Sequence, residues 1–377
     1  AYAHSQEAID NENFYNSLAI GPALASSNLA TAFNPFADGS NTSASVLAGL
    51  TFDIETENDA ETIVTQAQAD GPLFRIWGGE VRAAFGVERR EERFEIARFE
   101  HYPTGPVEQF IQDPGERTVN ALFGELHVPL IGPGNGVPLA HALTLSASVR
   151  SEDASDYGDA VTPRLGVRWA LSPDFALRAS WGESFKGPLF QQQLGDIFLG
   201  YLTASPAQDP LADNGSTGVL TVAGSNGDLR PERAETWTAG FDYAPSWASG
   251  LSLHASYFDI NFADRIASAG GTFAILSNPA GFESVTFRDP SPELIAQYLA
   301  LGAPPTGVLP ADGVEVIIDR RFLNLSSQRL RGVDLSASWT LDIGAGALDL
   351  FATATGLLQF EQTLTPGATP IELVDTV

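Results

Sequence analysis

Five histidines, His4, His101, His127, His141 and His254, are the imidazoles available for chemistry, and the 377 residues include no Cys and no Met. A zinc or transition-metal centre needs several His, Cys or carboxylate ligands at recurring spacings, and none of the five has such a neighbour. No Gly-x-Ser-x-Gly elbow, phosphate-binding glycine loop or dinucleotide glycine pattern occurs. The sequence thus offers no catalytic, cofactor-binding or metal-ligating residue and does not read as an enzyme. The acidic run Glu152, Asp153, Asp156 and Asp159 has oxygens that suit Ca²⁺, but without the spacing of a calcium loop it reads as a solvated connection.

Two other sets of residues remain. Glu80, Arg82, Arg150, Arg164, Arg168, Arg178, Asp242 and Asp334 fall at alternate positions within apolar stretches. Their chemistry is either mutual pairing along a wet wall or contact with an anionic ligand or another protein segment. Phe33, Phe36, Phe190, Phe198, Tyr201 and Phe273 lie in long linking segments, where aromatic rings either meet a substrate or pack the segments together.

The elements that position these residues read as strands. Trp237, Ala239, Phe241 and Tyr243 alternate with Thr236, Thr238, Gly240 and Asp242; after a turn with Pro245, Leu251, Leu253, Ala255 and Tyr257 alternate with Ser252, His254, Ser256 and Phe258. The pair is a β-hairpin with one greasy face. The same pattern recurs with Leu143 to Val149, Leu165 to Leu171, Phe175 to Trp181, Val81 to Val87 and Val333 to Leu341. Expected connections are 15–57, 96–115, 152–159, 187–230 and 267–318, with a short helix near 291–301 opened by Pro292. Short links are expected at 70–79, 132–136, 172–174, 244–249 and 344–346. About eleven strands then alternate strictly between long and short connections, as in an up-and-down membrane barrel.

Composition narrows the alternatives. A formal net charge of −27 gives no basic footprint for nucleic acid. No apolar run approaches the roughly 18 residues of a transmembrane helix, which says nothing against spanning strands. The N-terminus Ala1-Tyr-Ala-His lacks the basic and apolar regions of a signal peptide, so the chain is expected to be a piece of something longer. Register decides the rest: an Arg at the lipid midplane costs roughly 2–4 kcal/mol, which favours sending every charged residue of the first set inward and Trp169, Trp181, Trp237 and Trp339 outward.

The run Asn226-Gly-Asp-Leu-Arg-Pro-Glu232, then Thr236-Trp-Thr-Ala-Gly240, Tyr257-Phe-Asp-Ile260 and Asp264-Arg-Ile266, resembles the barrel signature of TonB-dependent outer-membrane receptors. Thr162-Pro-Arg-Leu-Gly-Val-Arg-Trp169 and Arg178-Ala-Ser-Trp-Gly-Glu-Ser-Phe-Lys-Gly-Pro188 resemble the strands that precede it. The resemblance implies an all-β, antiparallel up-and-down transmembrane β-barrel, of which residues 1–377 are a part: about 11 of an expected 22 strands, without plug domain, TonB box or remaining strands. It implies localisation in the outer membrane of a Gram-negative bacterium and active uptake of a scarce solute such as a siderophore, a cobalamin or an oligosaccharide. The implied partners are the TonB complex acting through a plug, outer-membrane lipid and lipopolysaccharide, and the small solute; no nucleic acid and no cofactor are implied. Two other readings stay open on the residues alone: a passive outer-membrane porin, and a secreted acidic β-rich binding or adhesion protein.

Overall fold

A computed structural model describes the chain except residues 37–40, 104–106, 112–114, 133, 136, 213–214, 345 and 375–377. Parts of the expected turns at 132–136 and 344–346 and of the 33–39 loop therefore lie outside the described residues. The chain divides into two compact units, Ala1–Thr65 with Arg90–Thr118, and Gln66–Arg89 with Val119–Val377.

In the first unit, β1 (Tyr2–Tyr15) pairs antiparallel with β2 (Thr51–Ile76), from Tyr2↔Ile63 to Tyr15↔Thr51. Their connection holds two helices, α1 (Ser17–Ala25) and α2 (Ala44–Gly49), whose caps Asn16 and Ser43 accept the Ala19 and Val46 N–H groups. Strand β3 (Gly79–His101) carries the short β4 (Glu108–Ile111), and β5 starts at Gly115 and runs to Ile131. A spanning strand needs about 9–11 residues. With 26 and 23 residues, β2 and β3 outlast any hydrocarbon layer. The loop expected at 96–115 is corrected accordingly: the strand persists to His101, its charged stretch braced by Arg90–Glu92 at 2.7 Å, Arg93–Glu116 at 2.9 Å and Arg117–Glu92 at 3.4 Å. The link expected at 70–79 also shrinks, because β2 continues to Ile76.

The second unit continues with β6 (Ala142–Ala154), β7 (Gly158–Ala170), β8 (Phe175–Lys186), α3 (Phe190–Leu194), β9 (Ile197–Ala204), β10 (Thr217–Gly224), β11 (Glu232–Tyr243) and β12 (Leu251–Ala267). There follow α4 (Thr272–Leu276), β13 (Thr286–Arg288), α5 (Pro292–Leu299), β14 (Val316–Arg321), β15 (Leu323–Asp342), β16 (Ala347–Thr363) and the two-residue β17 (Ile371–Glu372). Its large sheet has the order β2-β3-β5-β6-β7-β8-β11-β12-β15-β16-β17, antiparallel wherever the register is resolved. That is the expected up-and-down order. The strict long-short alternation is not: the acidic connection expected at 152–159 is a tight turn, 155–157, closed by Gly158 at φ +78°. Arg150 reaches Glu88 at 2.9 Å and also pairs with Glu152, which lets this hairpin keep its ladder through charged residues.

Register assigns the faces. Leu126, Val128 / Leu145, Ala147 / Leu165, Val167 / Leu177, Ala179 / Ala239, Phe241 / Leu253, Ala255 / Leu335, Ala337 share one side of β5 to β15. Much of it is solvent-open, including Leu165 at 53% and Leu335 at 51% exposure. An apolar face this large and uncovered is untenable in water and natural against lipid. Its ends are marked by aromatics with polar handles. The Trp181 and Trp237 indoles both donate to Glu235, at 2.8 and 3.0 Å, whereas near the other end Trp169 donates to the Leu139 carbonyl and Trp247 to the Tyr243 hydroxyl. From Trp237 to Tyr243 a strand advances roughly 20 Å, close to the roughly 25 Å apolar band of outer-membrane strands.

The most deeply buried residues lie elsewhere. The two long connections, 187–231 and 268–322, together build a second sheet of order β13-β14-β10-β9, with β10 parallel to β14. One of its faces packs Val219, Ile275, Leu276, Val285, Val316 and Ile318; the other packs Leu199, Leu220, Val222, Tyr298 and Ile317. We call this sheet and its helices the head. Instead of loops with one short helix, each connection supplies two strands of a shared core. The expected helix is present as α5, with Ser291 as N-cap and Pro292 in the first turn.

Candidate functional site

On the large sheet's other face, Phe123, Glu125, His127 / Ser146, Ser148, Arg150 / Arg164, Gly166, Arg168 / Arg178, Ser180, Gly182 / Thr238, Gly240, Asp242 / His254, Ser256 / Asp334, Ser336 lie side by side. Of the charged residues read from the sequence, Arg150, Arg164, Arg168, Arg178, Asp242 and Asp334 thus share one wall from β6 to β15, whereas Glu80 and Arg82 belong to β3. Small side chains form its floor: a Cβ on Gly182 would come within 3.2 Å of the Arg164 Cγ, and one on Gly86 would strike the Phe123 ring. The Arg150 guanidinium lies 5.8 Å from the centre of that ring. Asp70, Arg82, Phe123, Glu125, His127 and Arg164 border an open cleft of about 720 Å³.

Pairing consumes most of the charge. Arg82 meets Asp70 at 3.6 Å; Asp242 receives Arg178 at 3.2 Å, Arg168 at 3.7 Å and His254 Nδ1 at 2.9 Å; Asp334 accepts the Thr355 hydroxyl at 2.7 Å. Glu80 is exposed, and Arg164 has no polar partner among the described residues. The His254 Nε2 in turn lies 2.8 Å from the Ser252 hydroxyl. Hydroxyl, imidazole and carboxylate in series resemble an acyl-transfer relay. Two guanidiniums already share the carboxylate's charge here, and the neighbouring backbone sits in the β11–β12–β15 ladder, which supplies no oxyanion hole. What the arrangement does is hold a positively biased strip of wall in place.

The six aromatics divide between the units. Phe33 is half-buried and Phe36 fully exposed in the first unit; Phe190, Phe198, Tyr201 and Phe273 belong to the head. Phe198 on β9 is 65% exposed and Phe273 on α4 is 42% exposed. Tyr201 packs on the Leu199–Leu220 core, and its N–H donates to the Thr306 carbonyl. Phe190 opens α3.

Sequence reasoning missed the head's polar core. Asp209, wholly buried, accepts both Arg288 nitrogens at 2.8 and 3.1 Å and the Thr217 hydroxyl at 2.6 Å. Burial alone would raise its pKa, but these donors and the Leu211 N–H hold it below the usual Asp value. The Tyr298 phenol, buried and facing Asp319, is pushed up to about 12. No local spacing announces either pair: Asp209 and Arg288 come from different connections and meet through the β10–β14–β13 pairing, and Tyr298 on α5 lies 21 residues from Asp319 on β14.

A family model described as TonB dependent receptor-like, beta-barrel matches residues 2–370. Among solved structures, the siderophore receptor PirA from Acinetobacter baumannii aligns with TM-score 0.51 at 14% identity, covering 82% of this chain and 44% of that one. PirA from Pseudomonas aeruginosa aligns with TM-score 0.42 at 14% identity over 82% and 48%, and the RagAB peptide transporter with TM-score 0.47 at 12% identity over 91% and 33%. The chain thus spans half or less of the length of these structures.

Proposed function

Because this chain belongs to the TonB-dependent receptor-like β-barrel family, whose members sit in the outer membrane of Gram-negative bacteria, we propose that it is the wall and outer head of an active uptake receptor for a scarce solute. The observation that carries this reading is a single sheet with two opposed characters: an exposed apolar face between aromatic rims, and a wall bearing Arg150, Arg164, Arg168 and Arg178 behind it. In this reading the head faces the medium, and Phe190, Phe198, Tyr201 and Phe273, with Phe33 and Phe36 of the first unit, are the aromatic surfaces offered to the solute. The wall contacts a plug supplied by the rest of the protein, and the TonB complex acts through that plug. The solute belongs to the siderophore, cobalamin or oligosaccharide class, and lipid with lipopolysaccharide surrounds the apolar face. The reading contains no covalent step on the solute.

Thiol labelling tests the orientation: this chain has no Cys, and any Cys elsewhere in the full protein is first replaced by Ser. In intact cells making the full natural protein, a membrane-impermeant maleimide should modify Phe198→Cys at once and Trp247→Cys only after the outer membrane is opened. Equal labelling, or a protein recovered without detergent, would refute it. Planar-bilayer recording separates the porin reading: a receptor stays closed to ions and loses uptake when the proton gradient collapses, whereas a porin conducts regardless.

A further inference from the structure

The receptor-like run Asn226 to Glu232 lies where the head meets the large sheet. Four chain passages cross there: out of β8, into β11, out of β12, and from β14 directly into β15 through the single residue Phe322. Each is tied to another by a side chain of this run or its neighbour. Buried Asn226 donates to the Phe322 carbonyl at 3.0 Å, and its N–H donates to the Gln192 carbonyl at 2.8 Å. The Ser225 hydroxyl donates to the Gly195 carbonyl. Asn324 accepts the Arg230 N–H at 2.9 Å and donates to the Arg230 and Asp264 carbonyls, both at 2.8 Å. Strand β12 is bulged here, with Asp264 at φ +54°, and the Ile266 N–H donates to Glu232 at 2.8 Å. Glu232 also meets Lys186 of β8 at 3.4 Å.

We infer that Asn226, Glu232 and Asn324 form a clamp that fixes the two long connections, as one rigid head, onto the strand ends of the large sheet. Two features outside the clamp require a single body. The head's central strands β10 and β14 come from different connections and pair in parallel, so neither connection completes the sheet alone. Strand β14 also passes into β15 with one intervening residue, which leaves no slack for the head to swing on that side. The other three passages include no such continuous strand, and the clamp's bonds lie across them. A bulge frees a ladder donor, and here a carboxylate from the neighbouring passage takes it up. The motif's amide is thus committed to backbone and its carboxylate to the Ile266 N–H and Lys186, and both act as positioning groups, not ligands for a solute.

The test uses the full natural protein in outer-membrane vesicles, spin-labelled at pairs of added thiols. Phe198→Cys with Phe273→Cys reports distances inside the head; Phe198→Cys with Trp247→Cys reports head against sheet. Both should give single narrow distance peaks. Asn324→Ala and Glu232→Ala should each abolish the narrow head-to-sheet peak and leave the head-internal peak unchanged. Asn324→Asp, which keeps the acceptor for Arg230 and loses both donors, should act in the same direction if Asn324→Ala fails to assemble. A head-to-sheet peak as narrow as in the unaltered protein would overturn the inference, as would loss of the head-internal peak. Neither distance depends on the transported solute, so the clamp stands or falls separately from the uptake reading.

Discussion

At the scale of single residues, position within the period of two matters more than residue type. Leu165 and Ser148 are near neighbours in the β6–β7 ladder, yet they occupy opposite faces. Replacing Leu165 by Arg places a guanidinium among Leu145, Val167 and Ala179, at a cost of roughly 2–4 kcal/mol in a membrane-folded state. The same residue at Ser148 joins Arg150 and Arg164 on the polar wall and should cost well under 1 kcal/mol. Urea titration of vesicle-embedded protein, read by the mobility difference between folded and boiled samples, measures both. Equal destabilisation would contradict the assignment of faces. In the head, Asp209→Ala leaves the Arg288 guanidinium without its bidentate partner and should cost roughly 2–4 kcal/mol of head stability. The Asp209 carboxyl titrates below its usual range, so its contribution is complete above the unfolded pKa and is lost as pH falls through the lower folded value. Protection factors in β9, β10 and β13, taken relative to the intrinsic exchange rate at each pH, should be constant down to about pH 4 and fall in more acid. Asp209→Ala should remove that acid step.

At the scale of elements, the large sheet was legible and the head was not, for one physical reason. Strands with one wet face advertise themselves by alternation, as Leu143, Leu145, Ala147 and Val149 do against Thr144, Ser146, Ser148 and Arg150. Strands covered on both faces have no alternation to show. In the runs Gly218-Val-Leu-Thr-Val-Ala223 and Val316-Ile-Ile318 the Val, Leu and Ile side chains are buried on both faces of the sheet, and the parallel pairing of β10 with β14 accounts for them. Read by period, they fell into linkers; read by β-branched content and length, they were strands. The candidate wall was readable residue by residue because its Arg and Asp side chains sat at alternate positions. Which Asp each Arg meets was not, because Arg178 and Asp242 are diagonal neighbours across β8 and β11 and no sequence spacing sets that distance. Charge hides the end of β6: the acidic stretch 152–159 reads as a solvated connection, yet Arg150 pairs with Glu88 and Glu152 and the β6–β7 ladder runs on to Ala154. The head's fit is tight enough to be probed by one methyl group. Gly224 closes β10 at φ +114°, and a Cβ there would stand 2.0 Å from the Asp196 carbonyl oxygen. Gly224→Ala should therefore raise exchange throughout β9 and β10 while the β8–β11 ladder keeps its protection; protection of β9 and β10 equal to the unaltered protein would show the contact to be relaxed at no cost.

At the scale of the whole chain, the distribution of tryptophan turns the membrane reading into a spectroscopic question. All six Trp, at 77, 169, 181, 237, 247 and 339, lie in strands or turns of the large sheet, and none lies in the head. Trp169, Trp181, Trp237 and Trp339 flank the apolar face, whereas Trp77 and Trp247 sit in turns and are 82% and 78% exposed. Emission from these six is thus a report on the large sheet and its turns and not on the head. Lipids brominated along their acyl chains quench an indole that touches them and leave a solvated one untouched, so vesicles of brominated lipid should quench most of the emission. Trp181→Phe with Trp237→Phe should remove a large part of the quenchable fraction, because these two rings pack together with centroids 6.1 Å apart and tie their N–H groups to the same carboxylate at the rim. Trp247→Phe should remove only unquenched signal. A secreted β-rich protein of the same composition would bury or hydrate all six and show no quenching, so this measurement decides between a sheet solvated by lipid and one solvated by water.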